Sequence, residues 1–182
     1  YVTGTITHES SCGIFEIRLQ SKYSIEVILF CRLFISSVIH LITYIGIIVF
    51  GGVVAGYNMW DICIVFLCIV LTFPALVGMY GMGLILGSIC ICEKNVGSLI
   101  LIIQTALLFI TNTLSPTRHE IMYLVPFSNG IEIVRNIYLK QGTSLKSIGI
   151  YIIVNILWLM IGCFCFRKAL KYERKYGSFD NY

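Results

Sequence analysis

Residues 62–91 contain no Asp, Glu, Lys or Arg. That run exceeds the roughly 20 residues a helix needs to cross the hydrocarbon core of a bilayer. It therefore reads as a membrane span, and its excess length together with Pro74 predicts tilt or a kink. Similar apolar runs cover residues 26–52, 96–114 and 148–166. Across its 182 residues the chain is 58% hydrophobic and only 12% charged, with a mean hydropathy of +0.89. A soluble domain carries about 25% charge. The expected fold is an all-α membrane protein with four transmembrane helices forming one membrane domain over residues 1–182. The three prolines and the short polar linkers leave no room for a separate soluble domain.

Between the spans lie two segments of another kind. Residues 1–6 are expected to be the tail of a span that begins before Tyr1. Residues 8–20 then mix Ile14, Phe15, Ile17 and Leu19 with Glu16, Arg18 and Gln20. Too short and too polar to span, they fit an amphipathic helix at the membrane surface. Ser24 is placed to cap the following span, which holds Arg32 near one end and His40 near its middle. Trp60 is an interfacial anchor and Asp61 an expected N-cap. Gly83 and Gly87, four apart, repeat the small-residue spacing that brings helix backbones together in lipid. The second unusual segment, residues 115–146, carries Pro116 and Pro126. Each proline removes a donor and biases its predecessor away from helix, so the chain turns twice within a dozen residues. The apolar residues between them predict a re-entrant piece held in the membrane interface.

Orientation follows from the excess of Lys and Arg on short cytoplasmic loops. One side collects Arg18, Lys22, Arg32, Lys94, Arg167, Lys168, Lys171, Arg174 and Lys175, against Arg118, Arg135, Lys140 and Lys146 on the other. The N-terminal part and the C-terminal tail (167–182) are therefore expected in the cytoplasm of a multi-pass cell-membrane protein, with residues 115–146 outside. Anionic lipid headgroups account for the +4 net charge, so nucleic acid is not an expected partner.

Catalytic signatures are absent from the sequence. There is no Gly-x-x-x-x-Gly-Lys-Ser/Thr loop, no Gly-x-Ser-x-Gly elbow and no His-Glu-x-x-His pair. His8, His40 and His119 fall at three depths, and no acid lies deep in a span, which argues against a proton- or sodium-coupled carrier. Cys90/Cys92 and Cys163/Cys165 are two apart and point about 200° from one another on a helix, so packing is expected rather than a metal site. The chain is expected to be neither an enzyme nor the holder of a cofactor. Ser36, Ser37, His40 and Thr43 share one helical stripe. With Gln104, Asn112 and Asn155 they are buried polar groups that need partners, either a neighbouring helix or cargo on a translocation path. Glu132 and Arg135, three apart, are spaced to pair on one helix face.

The run Glu9-x-x-x-Gly13-Ile14-Phe15-Glu16-x-x-Leu19 resembles the glutamate and Gly-Thr-Leu-Glu-x-x-Leu stretch of permease subunits in the type-2 ABC exporter family, with Ile14 and Phe15 where that family has Thr and Leu. Pro126-Phe127-Ser128-Asn129-Gly130 leading to Arg135 is similar to that family's proline-led run before an arginine. The glycine-rich second span and the basic tail agree. The resemblance implies that the four spans are the third to sixth of six. It implies that Glu9, Gly13, Ile14, Phe15, Glu16 and Leu19 form a coupling helix docking on a separate ATP-binding cassette ATPase subunit, which holds ATP and magnesium. It implies an outer re-entrant gate at Pro116, Pro126, Glu132 and Arg135, and a second permease subunit, identical or different, that completes an exporter of drugs, peptides, lipids or polysaccharides. An ATP-independent four-span scaffold or channel, and a membrane-embedded enzyme, stand as the alternatives.

Overall fold

The computed structural model describes residues 2–56, 58–92, 97–110 and 124–176. These form helices α1 (Val2–Ser11), α2 (Ile14–Leu19), α3 (Ile25–Ala55), α4 (Met59–Cys92), α5 (Gly97–Ile110), α6 (Ser128–Tyr138) and α7 (Leu145–Tyr176). By length and composition, Ile25–Gly52, Trp60–Cys92 and Leu145–Glu173 are able to cross a membrane. The described residues hold helices and no strand, and three long apolar helices fit a multi-pass membrane protein. Among the described residues three helices, rather than the expected four, reach that length. The 14 residues of α5 give about 21 Å against a hydrocarbon core of roughly 30 Å. Residues 96 and 111–114 of the expected third span, like the turn at residues 93–95, lie outside the described residues.

Local chemistry sets where helices stop. Gly13 adopts φ 69° and Gly56 φ 67°, left-handed conformations that glycine enters without a Cβ penalty. Gly56 closes α3, its N–H donating to the Gly52 carbonyl. Gly13 divides the surface helix expected over residues 8–20 into the end of α1 and the separate α2. Asp61 falls inside the first turn of α4, which begins at Met59, where its charge complements the helix dipole instead of capping. Ser24 holds the N-cap position of α3 through its backbone alone. Ser144 opens α7 by accepting the Lys146 N–H on its hydroxyl at 3.3 Å. The helix then continues to Tyr176, so Arg167 to Lys175 ride on a helix rather than on an irregular tail.

The principal packing is α4 against α7. The Tyr151 hydroxyl donates to the Leu71 carbonyl at 2.6 Å, Gly78 faces Asn155, Gly81 faces Trp158 and Gly162, and Gly87 faces Phe166. Both sets of numbers rise together, so the two helices run parallel. A Cβ on Gly81 would lie 2.3 Å from the Trp158 carbonyl oxygen, and one on Gly162 would lie 2.2 Å from that of Gly81. The backbones meet here, as they do where van der Waals contact replaces the hydrophobic effect in lipid. Gly83 and Gly87 also receive a helix, but it is α1, through Val2 and Ile6. Pro74 removes the donor that the Val70 carbonyl would otherwise take, and Tyr151 bonds the chain in that same turn.

Two apolar cores result. One joins Val2, Ile6, Phe15, Ile25, Leu29, Tyr80, Leu84, Ile91 and Phe166, where α1, α2 and the start of α3 meet the ends of α4 and α7. The other joins Ala75, Ile133 and Tyr151 with Leu71, Phe127, Ile137 and Ile148, placing α6 against α4 and α7. Helix α6 runs antiparallel to α4, from Pro126 beside Gly78 to Lys140, whose Nζ lies 5.8 Å from the Trp60 ring centroid. Trp60 and Gly78 are about 27 Å apart along α4. Most of α3 beyond its first turns is uncovered, with Ile35, Ile39, Ile42 and Ile47 exposed.

Candidate functional site

At the α2 end of the bundle, Glu9 in the last turn of α1 is a buried carboxylate shared by two guanidinia. Arg18 Nη1 of α2 lies 2.9 Å from its Oε1, and Arg32 Nη1 of α3 is bonded to the same oxygen. The left-handed Gly13 folds α2 back toward α1 so that Arg18 can reach. Phe15, 1% exposed, anchors α2 in the first core, while Ile17 is 71% exposed and Ile14 is also exposed. The residues expected to act together therefore divide. Glu9 and Phe15 hold the short helix, Gly13 sets its direction, and Ile14 is exposed. Glu16 and Leu19 lie on α2, with only their backbone described. Ile17 was not distinguishable by sequence, because a six-residue helix is too short to show which apolar residue faces inward.

A second clamp lies beside the first. Glu26, in the first turn of α3, is buried, and Arg167 near the end of α7 grips it with two nitrogens, Nε 2.8 Å from Oε1 and Nη2 2.9 Å from Oε2. Such paired geometry recovers more of a carboxylate's desolvation than a single contact does. The Tyr80 hydroxyl of α4 donates to the Glu26 carbonyl oxygen, and its ring meets Phe30 edge-on with centroids 5.2 Å apart. Glu9–Arg18, Glu9–Arg32 and Glu26–Arg167 thus connect α1, α2, α3 and α7 through ion pairs, with α4 joined by Tyr80. Sequence reasoning missed Glu26, Tyr80 and Arg167. The available signal was an acid opening one apolar span and a base closing another, since charges there rarely stand alone.

Deeper in the apolar layer, His40 and Gln104 line one cavity of about 370 Å³ with Ser36, Ser37, Met79 and Met82, bounded by α1, α3, α4 and α5. Two of the three expected path residues are therefore brought together, and Asn112 lies outside the described residues. The hydroxyl, imidazole and amide groups there are able to donate and accept hydrogen bonds to a polar partner. Asn155 is elsewhere, between α7 and α4, its Nδ2 donating to the Tyr151 carbonyl at 2.7 Å and its Oδ1 turned toward Gly78.

On the α6 side, Pro126 is buried, and Trp158 Nε1 donates to the Leu124 carbonyl at 2.7 Å, fixing how this segment enters. Phe127 has φ 83°, a costly conformation for a bulky side chain, and it makes the corner that starts α6. Arg135 lines an apolar groove against α4, whereas Glu132 lines a small polar pocket of about 60 Å³ with Asn129, Asn136, Thr143 and Ser147. Pro116 lies outside the described residues. Compared with protein-family models, with curated proteins and with solved structures, the chain matches none.

Proposed function

We propose that this chain is the permease subunit of a type-2 ABC exporter, moving a drug, peptide, lipid or polysaccharide-type cargo with ATP hydrolysed by a separate subunit. The observation that carries the reading is the short α2, fixed by Glu9 and Phe15 and presenting Ile14 and Ile17 outward at the head of α3. A helix so held transmits a push instead of absorbing it, because Arg32 passes displacement to α3 and Glu26–Arg167 passes it to α7. Exposed isoleucines at the end of a membrane bundle fit a cleft on a soluble partner. The basic ends of α2, α3 and α7 agree with a cytoplasmic position for this hub.

The parallel packing of α4 and α7 supports a fourth crossing. Two adjacent parallel spans require the intervening chain to return across the membrane, and α5 is the apolar helix on that route. The depth at which Pro126 meets α4, about 27 Å along the helix from Trp60, supports a re-entrant outer segment. The test is reconstitution with the ATPase subunit. Ile17→Asp is expected to abolish permease-stimulated ATP hydrolysis and co-purification while the protein remains membrane-inserted. Transport by the chain alone in vesicles without nucleotide would overturn the reading.

A further inference from the structure

The groove between α4 and α6 has a shape and a charge distribution that the transport reading does not use. Ile64, Cys68 and Leu71 form one wall, Val134 and Tyr138 the other, and the cavity measures about 410 Å³. Arg135 is the one charged side chain among its described lining residues. At the end toward the start of α4, Lys140 lies over Trp60, an aromatic and basic pairing typical of the headgroup level. On α4 the lining runs from Ile64 to Thr72, about 12 Å, and Trp60 lies one turn above it, so slot and headgroup end together cover about 18 Å of a hydrocarbon core of roughly 30 Å. An apolar slot confined to about one leaflet, with cations at its shallow end, matches an amphiphile with one acyl tail in the slot and an anionic head. Arg135 lines this slot, and a guanidinium with its long apolar stem is suited to pairing with such a head.

We infer that this groove holds one acyl chain of an anionic phospholipid, with the headgroup phosphate on Arg135 and Lys140. The inference stands whether or not the chain is an exporter. It concerns a bound lipid that fills the gap between α4 and α6 and fastens α6 to the bundle.

The experiment passes the intact purified chain through vesicles of phosphatidylcholine with or without phosphatidylglycerol, extracts it in a mild nonionic detergent, and counts retained lipids by native mass spectrometry. One phosphatidylglycerol per chain is expected, with retention about tenfold weaker in Arg135→Gln, the scale of one lost charge-assisted contact. Because the groove-filling variant Cys68→Trp is able to disturb folding, alkylation of the native thiols is read peptide by peptide in the unaltered protein. Phosphatidylglycerol is expected to slow alkylation of Cys68 but not of the exposed Cys63. Equal retention of phosphatidylcholine, unchanged retention in Arg135→Gln, or a Cys68 rate independent of lipid would each overturn the inference. Protection of Cys68 in lipid-stripped protein would do so too, assigning the groove to polypeptide, whether a second copy or another part of this chain.

Discussion

Glu26 is buried where Arg167, its partner across 141 residues of sequence, is largely exposed. Breaking this pair therefore has unequal consequences from its two sides. Arg167→Ala strands a buried carboxylate, whereas Glu26→Gln leaves a guanidinium that water can solvate. Arg167→Ala is expected to lower the thermal midpoint of the detergent-solubilised protein more than Glu26→Gln does. Equal shifts in a fluorescence melting scan would mean that the carboxylate finds another partner or water.

The contact of Gly81 with Trp158 and Gly162 leaves no space for a methyl group, because the obstructing atoms are backbone. Gly81→Ala and Gly162→Ala are each expected to cost about 2 kcal/mol or more by forcing α4 from α7. Gly46 and Gly149, which have open space around them, serve as controls. Their alanine variants are expected to be neutral or slightly stabilising, since alanine is the better helix former by about 1 kcal/mol. Denaturation in mixed micelles compares the four.

Phe15 and Ile17, two apart on α2, are predicted to separate stability from coupling. Phe15→Ala removes a fully buried ring and is expected to cost roughly 3–5 kcal/mol locally, seen as rapid hydrogen exchange across α1 and α2. Ile17→Ala is expected to leave exchange unchanged and, on the proposed permease reading, to lower stimulation of the ATPase subunit reconstituted with it. Should Ile17→Ala unfold α2 instead, the outward position assigned to it is incorrect.

Gly13→Ala places a Cβ on a left-handed residue and is expected to cost about 1 kcal/mol. Glu9→Gln is expected to release Arg18 and Arg32 together, costing roughly 2 kcal/mol. Both changes loosen α2 without touching the α4–α7 contact. Limited proteolysis near Ser21 and Lys22 is expected to accelerate in each, while cleavage elsewhere stays at the rate of the unaltered protein.

Parallel α4 and α7 also fix a topological expectation. A short epitope inserted at Asn58 and one inserted at Gly142 are expected to be accessible from the same face of intact vesicles, and one after Ser21 from the opposite face. Accessibility of the first two from different faces would contradict a return crossing between the helices.

Membrane class and the approximate limits of the long spans were legible in the residues, because apolar length against bilayer thickness is a local quantity. The break at Gly13, inside the helix expected over residues 8–20, was not, since glycine permits a left-handed turn without requiring one. The sequence alone also marked His40 and Gln104 as polar groups in need of partners, and the structure brings both to one cavity. Which apolar residue of α2 turns inward was not local information, since Phe15 is buried only because the ends of α4 and α7 meet there. The same holds for Glu9 with Arg32 and Glu26 with Arg167, separated by 23 and 141 residues. Only tertiary structure decided those pairings, and with them the parallel course of α4 and α7. A charge at the end of an apolar helix finds whichever opposite charge the packing of backbones brings within reach.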